Sequence, residues 1–97
     1  MITKDEIINV LKTHKPLLET EFGVIRIGLF GSYAKGEYHL ESDIDFLVEL
    51  NSPSFDLMAG LHGFLEKKFG KKIELIRKMK HMNSRFLKHI EKDVIYV

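Results

Sequence analysis

Gly31-Ser32-Tyr33-Ala34-Lys35-Gly36, then a short polar loop, then Ser42-Asp43-Ile44-Asp45: the reading of this sequence turns on that stretch. Val24 to Phe30, just before it, is β-branched and aromatic and predicts a buried strand with Ile25, Ile27 and Leu29 on one face. Ile44 to Leu50 predicts the next strand. Alternation puts Ile44, Phe46, Val48 and Leu50 on the core side and leaves Asp43, Asp45, Leu47 and Glu49 on the other. Two carboxylates at i and i+2 therefore share a face, close enough to bracket divalent cations. Without positive charge between them, their repulsion and desolvation are unfavourable. Because both acids stand at the start of the strand, a solvated strand edge is the competing explanation.

Gly31-Ser32 shifts that balance. Placed directly after a strand, it opens a short helical turn that aims unpaired backbone N–H groups and a hydroxyl forward, which suits an anion. Glycine at 31 permits close approach of a phosphate, and Gly36 lets the chain turn back toward the second strand. A phosphate loop of the Gly-x-x-x-x-Gly-Lys-Ser/Thr kind is excluded because Glu37 follows Gly36, and no Gly-x-Gly-x-x-Gly occurs.

Working outward, Thr3 and Glu6 make a capping-box pattern, and Ile7, Ile8 and Leu11 follow at helical spacing. Pro16 ends or kinks that helix, and a second piece with Leu17 and Leu18 inward runs to about Phe22, where Gly23 stops it. Ser54 is an N-cap for a helix that turns Leu57, Met58, Leu61, Phe64, Leu65 and Phe69 inward, closed by Gly70. Gly60 and Gly63 inside it predict close backbone packing against the sheet. Lys72 to Ile76 predicts a third strand with Glu74 opposite Ile73 and Leu75, and Ser84 to Lys92 a last helix with Phe86, Leu87 and Ile90 inward. Val94 to Val97 is a candidate terminal strand. The order gives one α+β (α/β-like) domain over residues 1–97, a small mixed β-sheet flanked by helices. The order of strands within the sheet is not legible.

With 97 residues and no cysteine, the chain has neither disulfides nor thiolate metal sites, and a cytoplasmic location is the default. No apolar run suits a membrane span, so no membrane association is expected. The net charge is +1, but residues 1–50 carry 5 Lys/Arg against 9 Asp/Glu, and residues 51–97 carry 10 against 5. The cations Lys67, Lys68, Lys71 and Lys72 sit beside an acidic site, form a docking surface for a partner, or simply line a solvated helix face. The five histidines lack tight zinc spacing, Tyr33 is read as a packing residue, and Arg77 is weighed as a phosphate contact against a solvated strand end.

Together, Gly31-Ser32-x-Ala34-Lys35-Gly36 and Ser42-Asp43-Ile44-Asp45 resemble the signature of the DNA polymerase β-like nucleotidyltransferases, and more narrowly the minimal nucleotidyltransferases. The resemblance covers nearly the whole chain. It implies that Gly31 and Ser32 hold the outer phosphates of a nucleoside triphosphate, with Lys35 a candidate to neutralise phosphate charge. It implies that Asp43 and Asp45 bind two Mg ions, and that Glu74 is the third carboxylate, serving one metal and taking the proton of the attacking hydroxyl. Metal ions about 3.5–4 Å apart clamp the entering and leaving oxygens of such a displacement. Glu74 departs from the family pattern, where aspartate is more usual, and a shift of about 1 Å in a reacting group can cost about a hundredfold in rate.

Minimal nucleotidyltransferases similar to this chain are commonly paired with a HEPN-domain ribonuclease toxin, which they silence as antitoxins by moving AMP from ATP to a tyrosine hydroxyl. The resemblance thus implies a protein adenylyltransferase with a HEPN-domain toxin as partner, in a homo-oligomer or a hetero-oligomer with that toxin, and no direct nucleic-acid binding. The alternatives are a non-catalytic antitoxin that works by contact alone, and transfer to a small-molecule hydroxyl.

Overall fold

Side-chain oxygens open three of the helices and left-handed glycines close three. The computed structural model describes residues 2–79 and 81–97. Thr3 caps α1 (Lys4–Thr13), its hydroxyl accepting from the Glu6 amide at 3.2 Å, the N-cap half of a capping box, and donating to the Glu6 carboxylate at 3.1 Å. Pro16 sits in the first turn of α2 (Lys15–Phe22), where its missing N–H has no partner to lose, and Gly23 ends that helix at φ 67°. Ser54 caps α4 (Phe55–Phe69) and Gly70 closes it at φ 61°.

The strands are β1 (Val24–Phe30), β2 (Ile44–Leu50), β3 (Ile73–Arg77) and the short β4 (Ile95–Tyr96), with the one-turn α3 (Gly31–Lys35) after β1 and α5 (Ser84–Glu91) before β4. They form one mixed sheet in the order β3-β2-β1-β4: β1 is antiparallel to β2 and β4, while β2 and β3 run parallel through the α4 crossover. The α+β arrangement, a mixed sheet flanked by helices, is the one expected.

One sheet face carries Ile27, Leu29, Ile44, Phe46, Val48 and Ile73 against Ile7 and Leu11 of α1, Leu18 of α2 and Leu61, Leu65 and Phe69 of α4. The other face carries Asp45, Leu47 and Glu49; α5 adjoins it, Leu87 lining a cavity with Glu49 and Ile90 one with Phe30 and Gly31, and β4 joins the sheet at its edge. Leu47 and Ile90 are buried, and a side chain at Gly28 would run into Val94 and Tyr96. Among the described residues no helix is long and apolar enough to cross a membrane.

Four apolar or glycine expectations are corrected. Ile25 is 54% exposed, because a bulge between Val24 and Arg26 inserts it out of register and passes its inward place to Val24. Leu17 is 38% exposed beside the buried Leu18, since adjacent helical residues cannot share one inward direction. Phe86 is 46% exposed, α5 being inserted along Leu87 and Ile90. Gly60 approaches Phe22 of α2 rather than the sheet, and Gly63 has open space where a Cβ would stand.

Candidate active site

Alternation along β2 delivers Asp45 to the face opposite the main core, and the sheet supplies its neighbours. Across one side of the ladder Asp45 pairs with Phe30, the last residue of β1; across the other it pairs with Glu74 of β3. Asp43 precedes β2 by one residue. The two strands are parallel and in register, so Asp45 and Glu74 stand side by side at one end of the sheet, with Asp43 just before them.

Their closeness is visible in the electrostatics. Partial burial is the largest influence on Asp45, followed by a hydrogen bond shared with Glu74 and repulsion from the Glu74 and Asp43 carboxylates, which together push it up to about 7. Asp43 and Asp45 are half-buried and Glu74 is exposed.

Gly31 begins immediately after Phe30, at φ 73°. A Cβ there would collide with the Asp45 carboxylate, lying 3.0 Å from its Cγ. The close approach that glycine permits at this position is therefore first of all to an acid of the site. Ser32 follows half-buried on α3, whose end is closed by Gly36 at φ 76°. The Lys35 ammonium stands 3.9 Å from Asp93 rather than among the three acids. Lys35 and Asp93 share a cavity of about 140 Å³ with Phe30, Gly31, His89 and Ile90. Thus Asp45 adjoins Gly31 on one side and Glu74 on the other, Asp43 and Ser32 are their chain neighbours, and Lys35 stands on the α5 side.

Tyr33 is fully buried and stacked on Tyr38 with ring centroids 4.2 Å apart, a packing residue as read from the sequence. Arg77 is three residues beyond Glu74, an odd separation that sends it to the opposite face of β3 beside Val48, away from the acids. The sequence reading missed two features. Lys71 donates to the Leu40 carbonyl at 2.8 Å and so ties the loop before Asp43 to the turn before β3. His89 and Asp93, from the far end of the chain, wall the cavity beside Gly31. Neither has a local sequence signal, because each depends on which elements the sheet order brings together.

Among the described residues no group of three or more His, Cys, Asp or Glu side chains is arranged so that it could hold a metal ion. Carboxylates are nevertheless the hard oxygen donors that Mg takes, usually one or two of them together with waters and substrate phosphates. An aspartate crowded by two other acids is relieved by a divalent cation, so the donor chemistry of Asp43, Asp45 and Glu74 fits that ion.

Comparison with known proteins identifies the family and the fold. Residues 11–97 match the family model described as nucleotidyltransferase domain. A Methanocaldococcus jannaschii protein, named as a candidate protein adenylyltransferase, is 46% identical over the full length of both chains. The protein adenylyltransferase MntA of Thermococcus cleftensis is 38% identical, over 100% of this chain and 98% of the other. Among solved structures, a candidate minimal nucleotidyltransferase shares the fold with a TM-score of 0.80 at 22% identity, covering 97% of this chain and 95% of that one. The tri-AMPylated HEPN toxin of Shewanella oneidensis in complex with its MNT antitoxin contains a chain with TM-score 0.58 at 18% identity, covering 96% of this chain and 66% of that one. By its match to that family model and its identity to full-length relatives, this chain belongs to the nucleotidyltransferase domain family.

Proposed function

We propose that the chain is a protein adenylyltransferase that moves AMP from ATP to a tyrosine hydroxyl of a HEPN-domain toxin and thereby acts as its antitoxin. The observation that carries this reading is the single row Gly31, Asp45, Glu74, in which a phosphate-type turn, a metal-type acid and a proton acceptor are adjacent. The names of the full-length relatives and the toxin–antitoxin assembly of the structural neighbour support the choice of substrate and partner.

In this reading the Gly31-Ser32 turn binds the outer phosphates through backbone N–H groups and the Ser32 hydroxyl, and Lys35 adds positive charge beside them. Asp43, Asp45 and Glu74 would hold Mg ions, two in this reading, which would supply neutralisation of the phosphate charge. Glu74 takes the proton of the incoming hydroxyl. The hydroxyl oxygen forms a bond to the α-phosphorus as the bond to pyrophosphate breaks. Phosphoryl chemistry of this kind rests mainly on positioning and electrostatics, which suits a site built from backbone turns and carboxylates.

Incubating the full chain with ATP labelled at the α-phosphate, MgCl₂ and a HEPN-domain protein tests the proposal, with mass spectrometry to locate added AMP. Label on a partner tyrosine, lost in Asp43→Asn/Asp45→Asn, is the expected result. If that double variant still neutralises the partner as well as the parent, inhibition works by contact and the transfer reading fails.

A further inference from the structure

Gly31 touches two different places. A Cβ on it would run into the Asp45 carboxylate, and the same residue lines the cavity of about 140 Å³ shared by Phe30, Lys35, His89, Ile90 and Asp93. None of the three acids lines that cavity. Gly31 is thus the link between them and a separate recess, walled on its far side by the end of α5 and the residues just beyond it.

The lining is suited to an anion. Lys35 brings a fixed positive charge, and the His89 ring carries an N–H in either neutral tautomer as well as in the charged form. His14, His39 and His62 each bond a backbone group and so serve the fold. His89 is an exposed residue whose ring makes no such bond among the described residues, although it faces the recess. Ile90, buried beside it, supplies an apolar wall that strengthens polar contacts made there. At about 30 Å³ for each water, the space takes four or five waters. That is room for one phosphate group with a water or two, and too little for a nucleoside.

Asp93 adds a negative charge that an anion has to displace. Its carboxylate stands 3.9 Å from the Lys35 ammonium, and both side chains are more than a third exposed. A pair of that length and exposure contributes little by itself. A phosphate group carrying more charge can therefore take the ammonium from it.

We propose that this cavity seats the outermost phosphate of the nucleoside triphosphate, held by His89 and Lys35, with Asp93 as the competitor that keeps the Lys35 ammonium there until the phosphate arrives. The inference rests on the proposed function for the α-phosphate at the acids: from there the triphosphate passes Gly31, and its third phosphate reaches the recess. His89 and Asp93 then set the preference for a triphosphate over a diphosphate, and neither takes part in proton or phosphoryl transfer.

Equilibrium affinities of the full chain in MgCl₂ for ATP, ADP and inorganic tripolyphosphate test this, compared for the parent, His89→Ala, His89→Gln and Asp93→Asn. The parent is expected to prefer ATP to ADP. Losing one hydrogen bond to a charged group corresponds to about tenfold in affinity. His89→Ala should therefore weaken ATP and tripolyphosphate about tenfold and leave ADP unchanged, and His89→Gln, which keeps an N–H donor, should recover part of the loss. Asp93→Asn should strengthen ATP by up to about fivefold, the worth of a part-exposed ion pair, again without effect on ADP. In the transfer assay the KM for ATP follows these changes while kcat at saturating ATP holds. Opposite signs at two neighbouring residues are not what a structural role produces. Equal changes for ATP and ADP overturn the proposal, as do unchanged ATP affinity in His89→Ala, weakened ATP binding in Asp93→Asn, or no ATP binding by the parent. The expected binding pattern without any AMP transfer by the parent removes the proposed function and leaves the phosphate seat standing. Transfer by the parent with both variants indistinguishable from it does the reverse.

Discussion

Asp45 and Glu74 occupy one rung of the parallel β2–β3 ladder, although the whole of α4 separates them along the chain. Strand alternation alone puts Asp43 and Asp45 together. The third acid arrives through pairing of β2 with β3, and the Gly31 turn arrives through pairing of β2 with β1. Asp45 is therefore the residue at which the three parts of the site converge.

That crowding makes stability depend on pH in a defined direction. Asp45 rises from 3.8 to about 7 through burial and the neighbouring acids. The folded chain then holds this proton more tightly than the unfolded chain, so between those two values stability falls as pH rises, and above about 7 the full penalty is present. In EDTA, thermal unfolding of the parent is expected to drop relative to Asp45→Asn across this window. At pH 8 the variant melts about 4 °C or more higher, the shift that roughly 1 kcal/mol produces in so small a domain. Equal pH profiles for the two proteins would rule out this origin of the penalty. Excess MgCl₂ is expected to raise the parent and leave the variant nearly unmoved.

Gly31→Ala combines two faults. A left-handed φ costs a residue with a side chain about 1–2 kcal/mol, and the new methyl group would displace the Asp45 carboxylate. Denaturant titration is expected to show a loss of at least that size, and Mg-dependent thermal stabilisation should disappear even where the variant remains folded. A variant with parental stability and parental response to Mg would mean that the turn is not packed against Asp45.

The two glycines within α4 are expected to behave differently. Gly63 faces open space, so Gly63→Ala removes backbone freedom from the unfolded chain without a clash and should stabilise the protein by up to about 1 kcal/mol. A Cβ at Gly60 would lie 3.2 Å from the Phe22 ring, and Gly60→Ala should gain less or lose. Urea midpoints for the pair provide the check.

The contrast between these glycines also shows where the sequence stops being informative. Thr3, Gly23, Ser54 and Gly70 act within a few residues of themselves, so their roles could be read directly. The apolar face of β2 was equally legible because alternation has no dependence on partners. Ile25 was misread because a bulge is a property of two paired strands, and Phe86 because helical spacing cannot tell which side of a wide apolar stripe is covered. Arg77 shows that the period of two, applied three residues beyond Glu74, already contained the right answer. For the site, the candidate residues were visible as a motif, but the pairing of β3 with β2 rather than with β1 was not. Lys71, His89 and Asp93 join the neighbourhood solely through tertiary placement.

The strand order carries one last consequence. Since β3 is the outermost strand and Glu74 is exposed on it, the third carboxylate sits at the rim of the sheet with open water beyond. Because Glu74 is exposed, a reactant approaching from that side can remain part of a large rigid body and present a single protruding group. Selectivity at such a doorway is then a matter of how two broad surfaces meet, far more than of the shape of a hole.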